Sequence, residues 1–153
     1  MHKLETKIPA PVLAVAIAAV MKLYAGIAEI SFDTSPILVE IGVRLNQLSG
    51  VIALLAFASF ALARTTINPL DPSRASTLVT GGIYRITRNP MYLSLLLLLI
   101  AYAVRLGSWA VWTGPILFAA YVTRFQIIPE EKILEAKFGA AFIAYKNRTR
   151  RWI

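Results

Sequence analysis

The chain has 153 residues, of which 58% are hydrophobic and 16% charged, a balance too apolar for an ordinary soluble domain. It contains no cysteine, which excludes a disulfide framework and a Cys-ligated metal, and its one histidine, His2, cannot make a zinc site by itself. In so apolar a chain, a net charge of +8 points to basic segments at lipid headgroups rather than to nucleic acid.

Residues 1–7 form a short tail with Lys3 and Lys7 against Glu5, and residues 8–30 an apolar run long enough to span roughly 30 Å at about 1.5 Å per residue. The tail lacks the small-residue cleavage pattern of a secretory signal, so the run is expected to stay in the mature protein. Lys22 and Glu29 share one face of it. They fit a buried proton or cation site, or else a snorkelling lysine with a glutamate at the interface. Residues 31–44, with Asp33, Pro36 and Glu40, read as an acidic linker, and residues 45–63 as a second uncharged run whose Gly, Ala and Ser residues let helices approach closely.

Residues 65–89 form a polar connection in which Pro69, Pro72, Gly81 and Gly82 rule out a continuous helix, and Arg64, Arg74, Arg85 and Arg88 face a single acid, Asp71. A third run, residues 92–104, is opened by Pro90 and closed by Gly107. It reaches only about 20 Å, which suits half of a tight helical hairpin. The fourth run, residues 106–123, carries Trp109 and Trp112 near its start, as an aromatic belt would, with a kink expected at Pro115. Beyond it, Leu134, Phe138, Ala141, Phe142 and Tyr145 recur at steps of three and four, which predicts one amphipathic helix over residues 130–145. The tail, residues 146–153, carries four positive charges and Trp152 and is expected to rest on anionic headgroups.

The basic residues gather in the two tails and the long loop, so the positive-inside rule places both termini in the cytoplasm and predicts four crossings. The expected architecture is all-α: a polytopic membrane helical bundle of about four transmembrane helices, including a C-terminal helical hairpin, with a cytosolic loop and an amphipathic C-terminal helix. Residues 1–63 supply two N-terminal spans. Residues 64–153 form a region made of a loop (64–90), a hairpin (91–128) and a C-terminal helix (129–153). Small residues in the first two spans permit a homodimer and equally permit tight packing within one subunit. The common phosphate-binding, dinucleotide, zinc-protease and nucleophile-elbow signatures are absent.

Two polar islands interrupt the apolar pattern: residues 76–92, S-T-L-V-T-G-G-I-Y-R-I-T-R-N-P-M-Y, and Pro129-Glu130-Glu131. The expected topology brings both to the cytoplasmic face. Gly81 and Gly82 allow close backbone approach to a ligand, Tyr84 and Tyr92 offer stacking faces with hydroxyls, and Glu130 and Glu131 can hold an ammonium group or ribose hydroxyls. This set suits a charged, nucleoside-bearing ligand whose partner arrives from lipid. The plainer alternative is that the arginines bind headgroups, the glycines make turns and the glutamates complement a helix N-terminus.

The run Leu78-Val79-Thr80-Gly81-Gly82-Ile83-Tyr84, then Arg88-Asn89-Pro90-Met91-Tyr92, Pro129-Glu130-Glu131, Leu134, Phe138-Gly139, Phe142, Tyr145 and Arg150-Arg151-Trp152 resembles the isoprenylcysteine carboxyl methyltransferases, which belong with the membrane phospholipid methyltransferases. The resemblance covers roughly residues 64–153. It implies a multi-pass enzyme, in a bacterial inner membrane, that binds S-adenosylmethionine at the cytosolic face and methylates a lipidic or small hydrophobic acceptor arriving from the bilayer. By motif position it implies cofactor contacts from Thr77, Leu78, Val79, Tyr84, Asn89, Pro90, Met91, Tyr92 and Glu130. Arg88 or Arg124 is the candidate for the acceptor's anion, and Glu131 or Tyr84 for the base that an amine or phenol acceptor needs; no metal is required. The chain departs from the eukaryotic prenylcysteine enzymes at Ser76 and Asn89, where they carry His, and at Gln126, which stands where an arginine acts on the substrate carboxylate. The Asn-Pro form is closer to bacterial members. Outside this class stand a small four-helix transporter using Glu29 and a non-catalytic membrane scaffold; a sterol reductase, also suggested by the resemblance, needs more chain for its dinucleotide.

Overall fold

The computed structural model describes residues 8–27, 35–63 and 77–153, and within them the protein is all-helical. Helices α1 (Ala10–Ile27) and α2 (Pro36–Leu62) are long and apolar enough to cross a membrane. Their 18 and 27 residues reach roughly 27 and 40 Å at about 1.5 Å per residue. The acidic linker expected over residues 31–44 is corrected, because the chain is helical from Pro36 onward. Ser35 caps this helix by accepting a hydrogen bond from the Leu38 amide at 3.4 Å, and Pro36 suits a first turn. The charges that masked the start pair with each other one turn apart, Arg44 Nε donating to Glu40 Oε1 at 2.7 Å. Glu29 and Asp33 lie outside the described residues.

Helix α3 (Pro90–Leu106) starts at its proline and stops at Gly107, whose φ of 63° is the left-handed conformation of a helix C-terminus. A 3₁₀ turn (Trp109–Trp112) leads into α4 (Thr113–Val122), which continues through a π turn (Thr123–Ile127) into α5 (Ile128–Phe138) and then α6 (Ala140–Arg148). Pro115, where a kink is expected, falls near a helix start rather than in a helix interior. Helix α4 begins at Thr113, so Pro115 sits in its first turn, where a missing N–H costs no helical hydrogen bond. Of the two tryptophans, Trp109 is exposed as a belt residue would be, while Trp112 packs on the core. The single amphipathic helix expected over residues 130–145 is two helices. Gly139 separates them with φ 52° and ψ −125°, a conformation that residues bearing a side chain avoid.

Helices α1 and α2 both pack against α3, and α1 also meets α4. Small residues make these contacts close. A Cβ on Gly114 would stand 2.5 Å from Met21 Sδ, and one on Gly42 would touch Ala101 O at 3.5 Å and the Val104 side chain. Ser49 Oγ donates to Ser94 O at 2.8 Å, a buried bond between α2 and α3. Phe118, Val122, Leu99 and Ala103 fill the middle. The outward faces stay apolar, as Val15, Leu23 and Leu54 at 70% exposure illustrate, and surfaces of this kind are at home in lipid. A second cluster, Ala56, Tyr84, Phe142 and Tyr145, joins the end of α2 to the 3₁₀ turn Gly82–Arg85 and to α6. This cap positions the site.

A cavity at the capped end of the bundle

The chain alternates direction through α1, α2, α3 and α4, so the start of α1, the end of α2, the start of α3 and the end of the π turn meet at one end. There they enclose a cavity of about 410 Å³, within the usual size range of small-molecule sites. Ala10 and Pro11 of α1 and Ala53, Phe57 and Phe60 of α2 give it an apolar side. Polar groups come from the loop before α3 and from α5. The two polar islands therefore face one space.

Of the residues singled out in the sequence, Thr77, Leu78, Val79, Tyr84, Arg88, Asn89, Met91, Tyr92, Glu130 and Glu131 line this cavity. Pro90 is buried in the first turn of α3, between two lining residues, and fixes their direction rather than contributing wall. Arg124 sits on the π turn, away from the wall, with its guanidinium 5.4 Å from the centre of the Phe125 ring. Gln126 is buried, and its Nε2 donates to Ile8 O at 2.5 Å, tying down the start of α1. Lys22 is exposed on α1, and its expected companion Glu29 lies outside the described residues, as does Ser76.

The adjacent glutamates have opposite environments. Glu131 accepts from Arg88 Nη2 at 2.7 Å and from Arg151 Nη2 and Nε at 2.7 and 3.1 Å. Burial alone would raise its pKa, but the hydrogen bonds from Arg151 and Arg88 and their charges outweigh it and hold the carboxyl below its ordinary value. Glu131 is thus an ionised anchor between two guanidinium groups and a poor proton acceptor. Glu130 accepts instead from the Tyr92 hydroxyl. Burial pushes its carboxyl up to about 8, the Tyr92 hydrogen bond opposes the rise, and the neighbouring Glu131 charge adds to it. Glu130 is the glutamate that can exchange a proton near neutral pH.

Tyr84 is buried, which pushes its phenol well above the ordinary range, with Tyr145 and Glu130 adding to the rise. Its ring meets Phe60 edge-on at 5.4 Å, and its carbonyl accepts from the Tyr145 hydroxyl at 2.8 Å. The phenol therefore serves as a neutral wall group at physiological pH. Arg88 Nη1 donates to Lys146 O and Thr149 O, both at 2.9 Å, while its Nε is buried without a partner among the described residues. Asn89 Nδ2 donates to Arg151 O at 2.9 Å.

Sequence reasoning passed over the walls from α1 and α2, which carry no polar signal. Phe142 and Tyr145 stood in the sequence as part of a helical stripe and of the family resemblance, not as cavity wall. Arg151 read as one charge among four in a basic tail and as part of the closing Arg150-Arg151-Trp152 motif, with no role assigned, although its partner is the buried Glu131.

The sequence matches the family model described as phospholipid methyltransferase over residues 37–141, more than half of the chain. An uncharacterized protein of Haemophilus influenzae is 48% identical over 63 residues, an overlap that covers 41% of this chain and 100% of that protein. The family match spans nearly all of α2, the cavity loop, α3, α4 and both glutamates, and so covers most of the bundle and of the site at its end. The chain belongs to the phospholipid methyltransferase family and is a membrane methyltransferase.

Proposed function

We propose that this membrane methyltransferase uses S-adenosylmethionine and methylates a lipidic or small hydrophobic acceptor that reaches the cavity from the bilayer, both termini lying in the cytoplasm. The observation that carries the reading is the cavity itself, where the Asn89-Pro90-Met91-Tyr92 start of α3 and Glu130 of α5 face apolar walls from α1 and α2. Its chemistry suits the cofactor. Phe57, Phe60, Tyr84 and Tyr92 offer faces for a base, Glu130 suits an ammonium group or ribose hydroxyls, and Arg88 Nε is a buried donor in want of an acceptor. When bound, S-adenosylmethionine supplies a methyl group on a sulfonium, open to in-line displacement by an acceptor lone pair.

The protein's own residues align the partners and exclude water. A carboxylate acceptor needs no base. An acceptor that must lose a proton meets Glu130, whose carboxyl can take it, rather than the committed Glu131. A carboxylate finds few donors here, because Gln126 is tied to Ile8, Arg124 is off the wall and both Nη atoms of Arg88 are engaged, which leaves Arg88 Nε.

Calorimetric titration of the detergent-purified protein with S-adenosylmethionine and S-adenosylhomocysteine, beside Glu130→Ala, tests this. Micromolar binding lost in the variant is the expected result. No binding up to about 1 mM, roughly −4 kcal/mol, would sink the cofactor assignment.

A further inference from the structure

The C-terminal tail does more than carry charge. Arg151 is not part of the cavity wall, yet it touches both polar walls at once. Through its guanidinium it holds Glu131 of α5, at 2.7 and 3.1 Å. Through its carbonyl it accepts from Asn89 Nδ2 at 2.9 Å and from Thr87 Oγ1 at 3.3 Å, in the loop that leads into α3. On either side of it, Arg150 O accepts from the Arg88 amide at 3.0 Å, and Trp152 Nε1 donates to Thr123 Oγ1 of the π turn at 3.3 Å. Thr87 and Arg150 pair as a short parallel bridge.

We propose that Arg151 is a positioning residue of the site, locking the tail as a strap across the loop that carries Asn89 and the helix that carries Glu130. The inference rests on the methyltransferase reading above. Glu131 is the chain neighbour of Glu130, so a shift of the anchored carboxylate displaces the cavity carboxyl directly. The Glu131 side chain is only 10% exposed and shares its charge with Arg88, itself 9% exposed. The Arg151 side chain is 36% exposed, so water offsets part of its loss, yet the Glu131 carboxylate it holds is left with Arg88 alone, and the anchor shifts toward Arg88 when Arg151 is lost. Misplacement of a binding group by about 1 Å can cost as much as 100-fold. Arg150, by contrast, is exposed, and its bonds to the loop are made by its main chain.

The test uses the full chain in detergent with Arg151→Leu, Arg151→Lys and Arg150→Leu. Each is titrated with S-adenosylhomocysteine, and amide hydrogen exchange over residues 87–89 is followed without ligand. Arg151→Leu is expected to weaken S-adenosylhomocysteine by about 10- to 100-fold and to speed exchange of the Arg88 amide. Arg151→Lys, which keeps one ionic contact, recovers most of the affinity, and Arg150→Leu, which removes the same charge, binds like the parent. Undiminished affinity in Arg151→Leu, or an equal loss in Arg150→Leu, overturns the proposal. Should the leucine variant fail to fold, Arg151→Gln is judged by the same two readouts. If the parent itself binds no S-adenosylhomocysteine, the cofactor reading has failed, and the exchange of the Arg88 amide alone decides the strap: faster in Arg151→Leu supports it, unchanged removes it.

Discussion

In the bundle, α1 and α4 touch because Gly114 leaves room for Met21; in the cap, α5 and the loop touch because Glu131 accepts from both Arg88 and Arg151. The two regions answer different solvents. Lipid tails are as apolar as leucine, so helices there gain by close approach and dispersion, and small residues set the fit. The cap folds a polar loop and a basic tail over an apolar cavity, so its buried charges must each find a partner. The bundle should tolerate loss of one contact, and the cap should not tolerate loss of one charge.

The largest effect is therefore expected from Glu131→Ala, which strips the buried Arg88 of its only carboxylate among the described residues. Breaking a buried pair from one side costs about 3–5 kcal/mol, and thermal unfolding in detergent should register it as a large drop in Tm. A loss below about 1 kcal/mol would mean that the cap does not depend on this charge. Gly114→Val probes the bundle in the opposite way, by adding atoms where Met21 Sδ already lies 2.5 Å from a Cβ position. Overpacking of this kind costs about 1–3 kcal/mol, and Met21→Ala in the same chain should return part of it.

The two glutamates sharpen the contrast through pH. Glu130 holds its proton more tightly when folded, with a pKa of about 8 against an ordinary 4.5. Between those values the folded chain binds more protons than the unfolded one, so this group makes stability fall as pH rises from about 4.5 to about 8. Glu131 has the opposite sign. Its folded pKa is depressed, so its contribution is present above the ordinary carboxyl value and is lost as pH falls below it. Glu130→Gln should flatten the neutral slope and leave the acid limb, and urea unfolding from about pH 2.5 to 8.5 would separate them. A slope unchanged in Glu130→Gln would place the titrating group elsewhere.

These outcomes also mark where the sequence stops speaking. The loop before α3 and the Pro-Glu-Glu turn stood out because Gly, Asn, Pro and acids are conspicuous between apolar runs, and the structure does bring them to one cavity. The division of labour between Glu130 and Glu131 was not legible. Adjacent residues on a helix point about 100° apart, and nothing local says which of them the distant Arg151 will meet. The break at Gly139 was hidden because Leu134, Phe138, Phe142 and Tyr145 keep helical spacing across it. The start of α2 was hidden by Glu40 and Arg44, which look like a linker until they are seen to pair. The α1 and α2 walls were unreadable for a simpler reason: an alanine facing a cavity and an alanine facing lipid look the same in a sequence.

The smallest expected effect belongs to the one buried polar bond that links α2 to α3 among the described residues, Ser49 Oγ to Ser94 O at 2.8 Å. In water-poor surroundings this bond would seem indispensable, yet interhelical hydrogen bonds inside membranes average only about 0.6 kcal/mol, because the separated helices find other partners. The Ser94 carbonyl keeps its place in the α3 hydrogen-bond ladder, so Ser49→Ala strands no donor and leaves only a one-atom gap. Ser49→Ala should therefore shift unfolding in detergent by well under the 3–5 kcal/mol expected of Glu131→Ala. A loss as large as that of Glu131→Ala would mean that polar bonds hold the bundle as well as the cap, and the contrast between the two regions would fail.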